Sequence, residues 1–346
     1  RVQRGFETAQ IVTTDLKLPA TRYNNVEAAK FLKALADSAR AMPGVTSAGI
    51  SDRLPLSGEG GNSALMLEGT TVPRFQRPIA SLQLADAGYF RTLGIPLLSG
   101  RLFEEADRRR TPVAVVARAT AERVWPNENA IGRRFRIGPD DSPLIEVVGI
   151  VGDVRGVSLD SNYRLNVYIP YWQVFVGQAS LSVRTASDPA VVVPALRAAV
   201  RRLDSELAVP AFRTMDQVVA ESVTPRRFQM TLVLLFAVTA LLLSSIGIYG
   251  TASHAVTQRT NEIGIRMALG AHPARIRWMV LAQGLTPVTV GIGGGFAISF
   301  VSGTVLRKLL FGISPTDVTT FAAAGLFLAA TALLAHYVPA RRATRV

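Results

Sequence analysis

The sequence predicts an α+β extracytoplasmic domain, two β-α-β units split by a β-rich insertion, followed by an all-α transmembrane domain of three helices. Three observations predict it. The last third of the chain holds three long apolar stretches almost free of Asp, Glu, Lys and Arg. The net charge of +13 is concentrated there: residues 1–225 hold 27 Lys and Arg against 23 Asp and Glu, whereas residues 226–346 hold 11 against 2. A strand-helix-strand pattern at the start of the chain returns just before the apolar stretches begin.

The first unit, residues 1–51, opens with the β-rich run AQIVTTDL. NVEAAKFLKALADSARAM then places Ala28, Leu32, Leu35, Ala39 and Met42 on one helical face, and Pro43-Gly44 stops that helix. VTSAGIS is the second strand. The matching unit, residues 178–225, begins with the strand ASLSVRT. Asp188-Pro189 reads as a cap and first residue of a helix whose apolar face is Val192, Leu196, Ala199 and Leu203, and AVPAF is the closing strand. Between them, residues 52–177 are richer in short strands and turns: TPVAVVARATAERVW, IGRRFRIG, LIEVVGIVGDVR and LNVYIPYW. The glycine-rich PLSGEGGNS reads as a loop.

The transmembrane domain, residues 226–346, has spans at about 228–252, 278–306 and 318–340, each long enough to cross a bilayer. The excess charge flanks these spans, which favours a membrane protein in contact with lipid and argues against a nucleic-acid partner. Short loops rich in Arg stay cytoplasmic. Arg259, Arg266, Arg275 and Arg277 follow the first span, and Arg341, Arg342 and Arg345 follow the third. Both segments fall on one side of a three-span topology, so loop 258–277 and the C-terminus are expected in the cytoplasm and residues 1–225 outside. Arg226 and Arg227 count against this, more weakly. Gly291 and Gly295 form G-x-x-x-G in the second span, and Gly325 and Ala329 a weaker version in the third. Such spacing permits close helix packing in lipid, either within one subunit or in a homodimer.

No chemistry of catalysis is legible. There is no phosphate-binding loop; the four lysines are Lys17, Lys30, Lys33 and Lys308, and none follows a glycine. Cysteine is absent, so no disulfide or thiolate metal site can form. His254, His272 and His336 are too far apart for a local ligand motif, and no metal site or cofactor is expected.

Between the first two spans lies QRTNEIGIRMALGAHPARIR, residues 258–277. Its RTNEIGIRMALGA has the form of a short amphipathic helix. Glu262 and Arg266 are spaced to pair; Ile263 and Met267 share one face, Ile265 and Leu269 an adjacent one. Gly270 suits a C-cap and Pro273 the first turn of the next helix. On form alone it fits equally an elbow that docks a partner and a helix lying among lipid headgroups.

RTNEIGIRMALGA and the terminal PARRATRV resemble the FtsX-like permease family of ABC transporters. GYFRTLGIPLLSGRLF, VAVVARATAERVWP, IGRRFRIG, VVGIVGDVRG and VYIPYWQ resemble, in order, the MacB-type periplasmic core. Together these cover nearly the whole chain. The resemblance implies a permease of the bacterial inner membrane, working in export or mechanotransmission: a separate cytoplasmic ABC ATPase supplies the hydrolysis, and the chain itself is not an enzyme. The ATPase-contact segment it implies is Arg259, Glu262, Ile263, Gly264, Ile265, Arg266, Met267, Ala268, Leu269, Gly270 and Ala271. Glu262 and Arg266 would fix its shape, and Ile263, Ile265, Met267 and Leu269 would be its knobs. The family has four membrane helices per unit, one ahead of the outer domain. With three here, the sequence reads as a fragment or as one unit of a longer permease, pairing with a second unit or a second copy. The rival reading is a membrane-anchored binding or signalling module without an ATPase.

Overall fold

The structure, a computed structural model, describes residues 5–57, 61–70, 72–154, 165–174, 177–208 and 211–258, with single positions and short runs between 262 and 334. The chain divides into two compact units, Arg1–Pro225 and Arg226–Val346.

The first unit begins with β1 (Ile11–Lys17), α1 (Asn25–Arg40) and β2 (Val45–Ser51). It continues through β3 (Gly61–Leu67), β4 (Ile79–Ala85), α2 (Ala87–Thr92), β5 (Leu97–Gly100), β6 (Val113–Ala117) and α3 (Arg118–Val124). Then follow β7 (Arg134–Ile137), β8 (Ile145–Val151), β9 (Asn166–Pro170), β10 (Gln178–Thr185), α4 (Val193–Leu203), β11 (Arg213–Thr214) and α5 (Met215–Gln258), which continues into the second unit.

The two ends of the first unit share one sheet, in the order β11-β1-β10-β2, with every neighbouring pair antiparallel. Numbered within this part alone, the order is 4-1-3-2, that of a ferredoxin-like split β-α-β fold. Helix α1 starts where Asn24 and Glu27 form a capping box: the Glu27 N–H donates to Asn24 Oδ1 (2.9 Å) and the Asn24 N–H to Glu27 Oε2 (3.0 Å). Its face of Ala28, Leu32, Leu35 and Ala39 packs with Leu196, Ala199 and Val200 of α4 over Val12, Leu16, Ile50, Leu181 and Val183 of the sheet.

The intervening strands close on themselves. β4 pairs β3, β3 pairs β7, β7 pairs β8, β8 pairs β6, β6 pairs β9, and β9 returns to β4 in parallel register, Ser81↔Asn166 to Ala85↔Pro170. Each strand of this ring contributes to one interior core: Leu65, Ala80, Ala114, Val116, Phe135, Ile145, Val147, Val167 and Ile169. A small barrel is filled by such side chains and is not a pore. The outer side of the ring is buried too. Val113, Val115, Val148, Val151 and Tyr168 pack there with Tyr89, Phe90 and Leu93, with Ile11 of β1, and with Met215, Val218 and Val219 at the start of α5. This is why β6 reads as the unbroken apolar run VAVVA: both of its faces are covered.

The structure corrects several details of the sequence reading. Leu203 is 38% exposed at the last turn of α4, because Leu207 beyond the helix end enters the core in its place. The closing strand among the described residues is Arg213–Thr214, paired with β1; of AVPAF, Val209 and Pro210 lie outside the described residues, and Ala208, Ala211 and Phe212 are not in a strand. Gly61, Asn62 and Ser63, read as loop, pair with Leu82, Ser81 and Ala80; the backbone ladder outweighs their poor strand propensity. TPVAVVARATAERVW divides into a strand and helix α3.

In the second unit, Thr231–Thr251 within α5 is the one helical stretch among the described residues long and apolar enough to cross a membrane, with mean hydropathy 2.4. Thr289–Ile298 and Gly325–Leu334 are shorter apolar helical runs that fall inside the second and third expected spans. Trp278, Met279, Ala282 and Thr286 of the second expected span and Ala323 of the third are also helical; the remaining residues of those spans lie outside the described ones.

Candidate functional site

Of the eleven residues assigned to the contact segment, Glu262, Ile265 and Leu269 are described. The Leu269 N–H donates to the Ile265 carbonyl at 3.0 Å, the spacing of one α-helical turn. Ile265 is 63% and Leu269 82% exposed, so two large apolar side chains stand together on the surface of that turn. Arg259, Ile263, Gly264, Arg266, Met267, Ala268, Gly270 and Ala271 lie outside the described residues, as does the Glu262–Arg266 pairing.

Gly291 and Gly295 are both helical and exposed, and a Cβ added to either meets nothing within 4 Å. Gly325 and Ala329 are helical and half-buried. His254 lies within α5, its ring 3.0 Å from the Gln258 amide, and His272 is exposed. Among the described residues no three His, Asp or Glu side chains gather as a metal site would require.

The most developed polar centre lies in the first unit and was not singled out from the sequence. Asp86 caps α2, accepting from the Tyr89 N–H (2.8 Å) and the Ile50 N–H of β2 (3.0 Å), while its other oxygen accepts from Arg40 of α1 (2.7 Å). One carboxylate thus joins a helix of the ferredoxin-like part, a strand and the helix that leads into the ring. Burial pushes the Asp86 carboxyl above the usual range, against the pull of Arg40 and the two N–H groups. A capping residue before AGYFRT was the available signal; its long-range partner Arg40 left none. A second centre is Asp107, held in a fork by Arg101 through bonds of 2.8 Å each. Burial pushes this carboxyl up, but the Arg101 bonds and the Glu104 N–H outweigh it and hold it below the usual range. Neither centre presents a nucleophile beside a base; both fasten elements together.

A compact α+β unit is followed by a helical unit with one stretch among the described residues long and apolar enough to cross a membrane. The MacB-like periplasmic core domain matches residues 8–203, and the FtsX-like permease C-terminal domain matches residues 234–346. The chain belongs to this family of ABC-type permeases. It is 28% identical over 281 residues to the macrolide export ATP-binding/permease protein MacB of Escherichia coli, covering 78% of this chain and 42% of that protein. It is 29% identical over 292 residues to MacB 2 of Aeromonas hydrophila, covering 79% and 43%. The chain therefore spans about two-fifths of the length of these curated relatives. Among solved structures, the periplasmic region of MacB from Actinobacillus actinomycetemcomitans aligns with TM-score 0.43 and 17% identity, covering 64% of this chain and 95% of that one. The extracellular domain of the ABC-type transporter YknZ aligns with TM-score 0.38 and 14% identity, covering 59% and 98%.

Proposed function

We propose that this chain is the permease part of an ABC-type export or mechanotransmission complex of the bacterial inner membrane. Residues 1–225 stand outside the membrane, loop 258–277 and the C-terminus face the cytoplasm, and an ABC ATPase outside residues 1–346 docks on Arg259–Ala271. The family membership supports the permease role, and the names of the relatives, which join ATP binding to export, support coupling to ATP hydrolysis.

The observation that carries the docking reading is the pair Ile265 and Leu269, one helical turn apart and both largely exposed. Apolar side chains presented together on a short turn suit a groove on a partner. Truncating such residues in a buried interface costs about 2 kcal/mol or more each. Ile265→Ala with Leu269→Ala should therefore abolish co-purification of the ATPase from detergent while leaving membrane insertion intact, since the apolar spans are unchanged. ATPase recovery equal to wild type would mean that this turn is not the dock, and would favour a helix lying among lipid headgroups.

A further inference from the structure

An open groove of about 680 Å³ runs between the first half of α1 and the C-terminal end of α4, a size within the range of small-molecule sites. Its apolar floor is Phe31, Ala34 and Leu203, the leucine whose place in the core is taken by Leu207. Its walls are charged, and the charges fall into two groups.

In the first group every acid is engaged. Asp204 accepts from Arg22 (2.9 Å) and from the Tyr23 hydroxyl (2.5 Å), and Glu206 lies 3.2 Å from the same guanidinium. Glu27 is turned back onto the Asn24 N–H at 3.0 Å. The second group is Lys30, Arg201 and Arg202. All three are exposed and line the groove, and none makes an ion pair or side-chain hydrogen bond among the described residues. Arg197, one turn before Arg201, continues this basic face, and α4 carries no acid. Like charges gathered in this way repel one another. The helix macrodipole offsets the repulsion for Arg201 and Arg202, which stand at the C-terminus of α4. It gives nothing to Lys30, which lies nearer the positive end of α1. What the groove lacks is a counter-charge between its two helices.

We propose that this groove binds a phosphate monoester. The guanidiniums of Arg201 and Arg202 donate to the phosphate oxygens, Lys30 adds a point charge from the opposite helix, and the organic part of the ester lies on Leu203 and Phe31. Three cations suit the charge of about −1.5 to −2 that such a phosphate carries at pH 7; a monocarboxylate would leave most of the repulsion in place. The site does not depend on the ATPase reading, since all its residues lie between Arg22 and Glu206.

Phenyl phosphate is the probe, titrated calorimetrically at physiological salt into the full chain in phosphatidylcholine nanodiscs. Phenyltrimethylammonium is the control of equal ring and opposite charge. One saturable phenyl phosphate site at about millimolar concentration or below is expected, with no saturable heat from the cation. Lys30→Gln, Arg201→Gln and Arg202→Gln, at exposed positions where folding is not at stake, should each weaken it about two- to fivefold. The triple variant should weaken it by more than about tenfold. Arg109→Gln with Arg110→Gln, which removes exposed charge outside the groove, should leave the affinity unchanged. Nanodiscs containing phosphatidic acid distinguish the sources of the monoester: weaker phenyl phosphate binding there assigns the groove to a lipid headgroup, and unchanged binding assigns it to a soluble ester. Absence of a saturable site in folded wild-type protein overturns the proposal. So does unchanged affinity in the triple variant, or equal weakening by the Arg109 and Arg110 pair, which would mean attraction to net charge alone.

Discussion

Gly49 of β2 and Gly88 of α2 meet backbone to backbone. A Cβ on Gly49 would fall 2.0 Å from the Tyr89 nitrogen, and one on Gly88 would fall 2.2 Å from the Ala48 carbonyl oxygen. No rotamer change relieves either clash, because the atoms struck belong to the main chain. Gly49→Ala should therefore cost about 3 kcal/mol or more in urea unfolding of the first unit. Gly61→Ala, whose Cβ would meet nothing within 4 Å, should stay within about 0.5 kcal/mol of wild type. Equal stability of the two variants would show that β2 and α2 are not packed this closely.

Asp204, just beyond α4, accepts from the Tyr23 hydroxyl (2.5 Å) and from Arg22 (2.9 Å). These contacts, the Tyr23 bond first, hold its carboxyl below the usual range. Burial and the same bond push Tyr23 up to about 12. The carboxylate contribution is present above its unfolded value of about 3.9 and is lost as pH falls through the lowered folded value. The phenol contribution is present below about 10 and is lost as pH rises toward the folded value. Tyr23→Phe should thus move the acid limb of the stability profile to higher pH and remove part of the alkaline limb. Urea midpoints measured across both ranges check this; a profile identical to wild type at both ends would rule out the coupling.

Because Gly291 and Gly295 are exposed, with nothing within 4 Å of an added Cβ among the described residues, a larger side chain there should disturb helix association. Gly291→Leu and Gly295→Leu should lower the yield of cross-linked or pairwise-assembled permease, while Leu placed at nearby large residues does not. Normal assembly of both glycine variants would remove these positions from the packing interface.

The proposed topology is open to labelling, as residues 1–346 contain no cysteine. Cysteines at Ser205 and at His272, both exposed, should react with an impermeant maleimide from opposite sides of intact cells. Labelling from the same side would sink the orientation and, with it, the cytoplasmic dock.

The legible parts of the first unit were those whose physics is local. Helix α1 was readable because Ala28, Leu32, Leu35 and Ala39 recur at helical spacing and all are buried. Strands β1, β2 and β10 were readable from their composition. Closure of the ring was not. The parallel pairing of Leu82 with Val167 and Leu84 with Ile169 joins segments about 85 residues apart, and nothing in either segment names the other. The Arg40–Asp86 pair escaped for the same reason: each residue looks like an ordinary surface charge until α1 and α2 are brought together. In the contact segment, the sequence showed the apolar spacing of Ile265 and Leu269, but spacing alone could not show that both side chains stand exposed.

Strand β10 lies between β1 and β2, and this order has a consequence for how the chain comes to be made. Ile11 pairs with Arg184 and Ile50 with Leu181, so neither early strand can find its principal partner until Gln178–Thr185 has been synthesised. β1 and β2 are not neighbours, and β2 meets β4 only at Ser51↔Ala85. At a synthesis rate of about 5–20 residues per second, the stretch from Ser51 to Gln178 takes on the order of ten seconds. During that interval the nascent N-terminal segment holds two apolar strands with unpaired edges, the state in which chains stick to one another. The ring, whose strands all emerge before Gln178, can close first and serve as the platform on which the older strands are finally captured.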